Sequence, residues 1–295
     1  MQIRLNREAK FSWQDIGSGP GVLIVDDCLA EPELLREFAL GLRYVQPAAP
    51  DRYPGWKSIA SLSGAEEVMR SLVARYQESS VMSKPSTLDV SAARVLSQHF
   101  SILSFDPATA QSFGYQGQCQ HVDGFSWLAT VLYLFQAGEE PDARRGTAFW
   151  RHRQSGLQHW LHGDMVQIAK VEKLLGLKMS PTIQSLSGIP YIQSLDQISQ
   201  SIFDHTRAKT MPFSADESDT WERLAVVGAC FNRMIVYPTF QIHTIVDTVA
   251  PNPASLEEAR LTMNTFVDYP FAFEAAATSA YSGEAYWPIP GLQIS

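Results

Sequence analysis

The sequence predicts an α+β chain that is mainly β: a sandwich or jelly roll preceded by N-terminal helices and interrupted by a helical insertion. Three observations predict it. From about residue 92 the chain turns into a series of short β-branched and aromatic runs: RVLSQHFSILSF, FSWLATVLYLFQ, GTAFWRHR, AVVGACFNRMIVYP, FQIHTIVD and RLTMNTFVDY. Regularly alternating helices, which a doubly wound sheet would need, do not separate them. Two segments of helical periodicity precede the runs, and helical-looking pieces break the series between about 152 and 220.

The elements follow in order. GVLIVDDCL at 21–29 reads as a buried strand, and EPELLREFALGLRY at 31–44 as a helix with acidic residues in its first turn, where they meet the positive end of the helix dipole. PAAPDRYPGWKS at 47–58 holds three prolines and a glycine and reads as a loop, with Tyr53 and Trp56 as rim residues of a pocket. A second helix covers Ala65 to Gln77. The runs from 92 on are strands. In the interruption, MVQIAKVEKLLGLK and SLDQISQSIFDH are helical in pattern with Gly and Pro between them, which suits a lid or a dimer contact. The layout expected is a single domain over 1–295: about 1–90 an N-terminal α/β support, about 92–151 and 221–270 the β core, and about 152–220 the helical insertion or lid.

The 295 residues suffice for a full hydrophobic core, and 45% apolar with 18% charged residues is ordinary globular composition. The formal charge of -8, with no basic stripe, argues against nucleic acid as a partner. Cys28, Cys119 and Cys230 are odd in number and form no CxxC pair, so neither a disulfide framework nor a zinc knuckle is expected. The start, MQIRLNREAKFSW, mixes charges and lacks the apolar stretch of a signal peptide. The longest apolar run, Trp127 to Phe135, is far short of the roughly 20 residues that span a bilayer. A soluble cytoplasmic protein is the expectation, with no membrane contact and a homodimer as a possible assembly.

Chemistry concentrates in three runs. His121 and Asp123 lie in QHVDG, His243 lies 120 residues beyond Asp123 in QIHTIVD, and Arg260, Thr262 and Asn264 lie in RLTMNTF. Residues two apart in a strand project to one face, so His121 and Asp123 can both point inward, and a distant strand can bring His243 alongside. Two imidazoles and a carboxylate suit one face of an octahedral Fe(II), leaving positions open for substrate chemistry and O2. Arg260, Thr262 and Asn264 alternate with Leu261 and Met263 and share the other face of their strand. If that face is solvent, Arg260 is a solubilising charge. If it is interior, the guanidinium needs an anion, and a small dicarboxylate such as 2-oxoglutarate fits, since arginine is suited to clamping a carboxylate.

With these residues placed, the chain resembles the Fe(II)/2-oxoglutarate-dependent oxygenase superfamily: HVD as its HxD, His243 as the distal histidine, RLT as its RxS/T motif. The segment LATVLYLFQAGEEPDARRGTAFWRHR is similar to the prolyl 4-hydroxylase-like branch, and together with VLIVDDCLAEPELLREFAL it resembles an uncharacterised bacterial group within it. The resemblance implies a double-stranded β-helix (jelly roll). It also implies His121, Asp123 and His243 as metal ligands, and Arg260, Thr262 and Tyr133 as the cosubstrate site. The activity implied is hydroxylation of an unactivated C–H bond in an amino acid, peptide or small natural product, consuming O2 and releasing succinate and CO2. Relatives that halogenate carry a small residue in place of the carboxylate, so Asp123 favours hydroxylation or desaturation. Two departures stand out: Arg145 where the branch usually has a glycine, and a gap of 17 residues from His243 to Arg260.

Trp150, Phe149, Trp127 and Asn264 are the expected lining of a substrate pocket, the aromatic ones also serving as core. His159 and His162, three apart, could share a helix face and hold zinc, but lack well-spaced further ligands. His99 and His205 read as ordinary structural or surface residues. Two rival readings use the same fold: a cupin-like metalloenzyme that does not use 2-oxoglutarate, and a non-catalytic jelly-roll binding module.

Overall fold

The computed structural model describes residues 1–17, 21–45, 55–79, 90–103, 120–121, 123, 128–135, 140–153, 158, 221–239, 241–247 and 258–268. Among them the chain is mainly β, with antiparallel sheets and few helices. The elements are β1 (Lys10–Gln14), β2 (Val22–Asp26), α1 (Pro32–Leu40), β3 (Gly55–Ile59), α2 (Ala65–Ser79), β4 (Arg94–Leu103), β5 (Leu128–Tyr133), β6 (Asp142–His152), β7 (Trp221–Ala229), β8 (Met234–Pro238), β9 (His243–Asp247) and β10 (Arg260–Asp268). A seven-stranded sheet runs β1-β2-β8-β5-β10-β4-β3, and a three-stranded sheet runs β7-β6-β9. The expected helical insertion, Tyr53, Trp127, Cys119, His159, His162 and His205 lie outside the described residues.

Alternation along the strands sorts side chains into two layers. Leu23, Val25, Leu132, Met234, Val236, Leu261 and Met263 pack under Val68, Met69, Leu72 and Val73 of α2. Each such leucine, removed fully from water, stabilises the fold by about 1.5–3 kcal/mol. The intervening residues Val22, Ile24, Val131, Tyr133, Ile235 and Tyr237 form a second cluster with Phe149, Val227 and Ala229 of the small sheet. The two sheets therefore face each other across an apolar layer, with α2 behind the larger one.

Helix α1 starts with Pro32 at its first position, where a missing N–H costs nothing. It ends at Leu40, four residues short of the expected end, where the Gly41 N–H bonds back to the Glu37 and Phe38 carbonyls. Three further differences from the sequence reading have identifiable causes. Residues 55–58, expected in a loop, belong to β3, which pairs with β4 from Gly55↔Leu103 to Ile59↔His99; the three preceding prolines masked a short strand that gains its ladder from β4. β1, not expected, pairs with β2, although its Phe11 stays 38% exposed and so carries little apolar signal. AVVGACFNRMIVYP, read as one run, is two strands joined by a turn at Asn232, which adopts φ 60. Asparagine tolerates that left-handed conformation better than most residues. Its amide clamps Leu29, accepting from N–H and donating to C=O, both at 2.9 Å.

Candidate metal centre

His243 opens β9, and a bridge of two backbone hydrogen bonds ties it to His121, N–H to O distances 3.0 and 2.9 Å. Asp123 is anchored in turn through its N–H to the Thr239 carbonyl at 2.8 Å. These three bonds bring together side chains 120 residues apart in sequence. His243 Nε2 lies 3.3 Å from Asp123 Oδ2, and His121 Nε2 lies 3.9 Å from Asp123 Oδ1. One donor atom from each of the three lies within 4.8 Å of the others. His121 and His243 meet ring to ring at 4.4 Å.

The tautomer of His243 follows from its other nitrogen. Nδ1 lies 2.8 Å from the Gln241 carbonyl, which only accepts, so Nδ1 carries the proton. Nε2 is the nitrogen that faces Asp123, so it is the one placed to coordinate a metal, with Nδ1–H held as in metal-ligating histidines. Tyr237 supports the ring from the side, edge-on at 4.8 Å, and Phe149 stands edge-on behind Tyr237 at 5.3 Å. Burial pushes the Asp123 carboxyl up, but its hydrogen bond to His243 and the charges of His243, His121 and Lys57 outweigh this, and the net shift is downward. Asp123 is therefore an anion at neutral pH, as a ligand carboxylate must be.

Arg260 and Thr262 open β10 on the face opposite Leu261 and Met263, so the polar side of this strand is interior: Arg260 is 2% exposed and Thr262 1%. Arg260 Nη2 donates to the Gly146 carbonyl at 3.0 Å, and its Nε has no hydrogen-bond partner among the described residues. The guanidinium sits 5.6 Å from the Tyr133 ring centre and 5.9 Å from that of Phe135. Tyr133 and Thr147 share a hydrogen bond of 2.9 Å between their hydroxyls. Burial raises the Tyr133 phenol above its usual value, against the opposing pull of Arg260 and Thr147, so it remains a neutral hydroxyl.

A cavity of about 140 Å³ joins the two groups, lined by His121, Asp123, His243, Thr147, Tyr237, Ile245, Arg260, Thr262, Asn264, Lys57, His99 and Phe266 among others. The structure thus brings His121, Asp123, His243, Arg260, Thr262 and Asn264 to one space. Tyr133 reaches it through Thr147. Phe149 and Trp150, expected in the pocket, are fully buried and are not among the lining residues; Phe149 stands behind Tyr237. Trp56, expected at a rim, is 40% exposed on β3, one residue from Lys57, which does line the cavity. His99, expected as an ordinary structural or surface residue, lines it too, stacked on Phe266 at 6.0 Å. Thr147 and Tyr237 were within reach of a sequence reading, since Thr147 sits in the GTAFW run and Tyr237 shares a face with Ile235. Lys57 was hidden by the loop assignment. Arg145, the residue in a glycine's usual place, is 6% exposed with its guanidinium 4.2 Å from the Phe135 ring centre.

The donor set fits an Fe(II)-type ion, with two imidazole nitrogens and one carboxylate converging from the start of β9 and from residues 121 and 123 hydrogen-bonded beside it. The buried guanidinium fits a carboxylate, because among the described residues this interior arginine meets one carbonyl and two rings and no anion. Among the described residues no helix is long and apolar enough to cross a membrane.

Residues 7–172 and 192–267 match the family model described as a family of unknown function, DUF6445. No curated protein matches the chain. Solved structures with some likeness include the non-heme alpha ketoglutarate dependent epimerase SnoN from nogalamycin biosynthesis, at 10% identity over 83% of this chain and 76% of that one, TM-score 0.37. HygX from Streptomyces hygroscopicus, solved with nickel, 2-oxoglutarate and hygromycin B, aligns at 12% identity over 85% and 83%, TM-score 0.38. EvdO2 from Micromonospora carbonacea var. aurantiaca aligns at 11% over 89% and 95%, TM-score 0.35.

Proposed function

The chain belongs to the family of unknown function DUF6445, and we propose that it is a non-heme Fe(II)/2-oxoglutarate-dependent oxygenase on a double-stranded β-helix (jelly roll) frame. Its substrate in this reading is an amino acid, peptide or small natural product. The observation that carries the reading is the meeting, in one cavity, of a two-histidine, one-carboxylate donor set with a buried arginine from the facing sheet.

His121, Asp123 and His243 hold the metal, His243 through Nε2 because Nδ1 is committed to Gln241. Arg260 and Thr262 hold the far carboxylate of 2-oxoglutarate, with the Tyr133–Thr147 hydroxyl pair beside them. A neutral Tyr133 acts on that carboxylate through the Thr147 hydroxyl, which lines the cavity, whereas a phenolate would repel it. Bound Fe(II) and 2-oxoglutarate supply O2-dependent oxidative decarboxylation, yielding succinate and CO2, coupled to oxidation of a nearby C–H bond. The protein's share is to orient the cosubstrate and the target and to keep water away from them. Asp123 occupies the position that a halide would need, so hydroxylation or desaturation is the outcome assigned.

Substrate-free turnover tests the reading. Protein incubated with Fe(II), ascorbate, 2-oxoglutarate and O2 is expected to release succinate slowly, and Asp123→Ala to release none. Iron bound without succinate formation would point instead to a metalloenzyme that does not use 2-oxoglutarate.

A further inference from the structure

Two tyrosines approach the cavity, and their hydroxyls stand differently. That of Tyr133 is committed to Thr147 at 2.9 Å. That of Tyr237 has no hydrogen-bond partner among the described residues. The residue is 2% exposed, yet its oxygen is not sealed away from the cavity that the side chain lines. The ring is held between His243, edge-on at 4.8 Å, and Phe149, edge-on at 5.3 Å. A phenol O–H fixed in this way is a donor that needs an acceptor oxygen, since a polar group shut off from water without one is costly.

Strand register sets this hydroxyl at the end of the cavity away from Arg260. Thr262 on β10 pairs with Tyr133, and four residues further on Phe266 pairs with Ala129, which pairs in turn with Tyr237 on β8. Directly paired residues share a face, and four residues of strand separate the two rows by about 13 Å. The far carboxylate of the cosubstrate belongs to the first row, which leaves the second for the substrate. Ala129, Val131 and Phe266, which line the cavity on the same sheet, offer carbon there. A largely apolar wall with one well-placed polar group is how a small-molecule pocket fixes the orientation of its ligand.

Resting on the oxygenase reading above, we propose that Tyr237 is the substrate-orienting donor of this site, its hydroxyl binding a carbonyl or hydroxyl oxygen of a substrate whose apolar part lies on Ala129, Val131 and Phe266. Because the same ring abuts His243, that oxygen is held beside the metal ligands, and the carbon presented for oxidation is one close to it. A molecule with no acceptor oxygen near its reactive carbon is a poor substrate. The competing account is that the Tyr237 ring only buttresses His243 and its hydroxyl binds no substrate.

NMR of small probes on the full chain, loaded with Mn(II) and 2-oxoglutarate and with protein in excess of metal, separates these accounts, because line broadening by Mn(II) reports a probe held beside the metal. Calorimetry first compares 2-oxoglutarate binding to the Mn(II)-loaded wild type and Tyr237→Phe, which keeps the ring against His243; equal affinity is expected. The probes are cyclohexanone and methylenecyclohexane, alike in shape, with an acceptor oxygen only in the first. Cyclohexanone is expected to bind Tyr237→Phe roughly 2- to 12-fold more weakly than wild type, the loss of one neutral hydrogen bond, and methylenecyclohexane to bind both equally. No binding of cyclohexanone to wild type, the same change for both probes, or no change for cyclohexanone overturns the proposal. Weaker 2-oxoglutarate binding in Tyr237→Phe also overturns it, by giving the hydroxyl to the cosubstrate. Failure of 2-oxoglutarate to bind wild type overturns the oxygenase reading instead, and this inference with it.

Discussion

Arg260, the first residue of β10 in the large sheet, donates from Nη2 to the backbone carbonyl of Gly146 on β6 of the small sheet, at 3.0 Å. The contact crosses the interior and fixes the guanidinium at the inner end of the cavity. Gly146 can approach so closely because it has no side chain: a Cβ there would collide with the Val227 carbonyl of the neighbouring strand. Gly146→Ala is therefore expected to push β6 from β7, lower stability by about 1–3 kcal/mol as overpacking does, and weaken 2-oxoglutarate binding more than metal binding. Denaturant titration and calorimetry read the two effects separately.

Arg260→Ala is expected to reduce affinity for 2-oxoglutarate by roughly 10- to 150-fold, corresponding to about 1.5–3 kcal/mol for a charged hydrogen bond, while leaving metal binding in place. Arg260→Lys should recover only part of the loss, because an ammonium cannot reproduce the planar fork. Activity unaffected by Arg260→Ala would favour a cupin-like enzyme that works without 2-oxoglutarate.

Much of this site could be read from residue spacing. His121 and Asp123, two apart, and His243 in a β-branched run do meet, and the alternation of Arg260, Thr262 and Asn264 with Leu261 and Met263 does mark two faces. Spacing could not say which face is inside; the answer lies in α2, which covers Leu261 and Met263 and leaves Arg260 toward the small sheet. Nor could it find Lys57. Its strand is short, follows three prolines, and acquires its structure by pairing with β4, a contact made across residues far apart in the chain, with Val45 bridging Lys57 on the other side. The break at Asn232 was equally hidden, because the flanking strands share one β-branched and aromatic composition and the turn depends on an amide that reaches Leu29, 203 positions away.

Asn232 is expected to be a strong stability determinant. Asn232→Ala removes two buried side-chain hydrogen bonds and places a Cβ residue with less tolerance for φ 60, for a loss of about 2–4 kcal/mol in unfolding free energy. Asn232→Gly accepts the backbone conformation but still forfeits both bonds, so it should be less damaging than Ala and still measurably destabilised. Equal stability of all three chains would contradict the role assigned to this turn.

Cys28 is buried, and burial pushes its thiol up to about 12. In the native protein it should resist a thiol reagent at pH 8 and react fully once unfolded, since the thiolate is the nucleophile. The folded state holds this proton more tightly than the unfolded chain. The resulting stability is present below about pH 9 and is lost as pH rises from there toward 12, at up to about 1.4 kcal/mol per pH unit. Tyr133 and Tyr237, also raised by burial, act in the same direction at higher pH. Cys28→Val should therefore flatten the early part of the alkaline decline without abolishing it.

Joint binding of iron and cosubstrate at His121, Asp123, His243 and Arg260 is tested by an anaerobic titration of metal-free protein with Fe(II) and then 2-oxoglutarate, followed by visible absorption. A weak metal-to-ligand charge-transfer band is expected that appears only when both are present, saturates at one equivalent of iron, and is absent in His243→Ala. Iron bound by wild type with no band on adding 2-oxoglutarate, or a band that persists in His243→Ala, would contradict it.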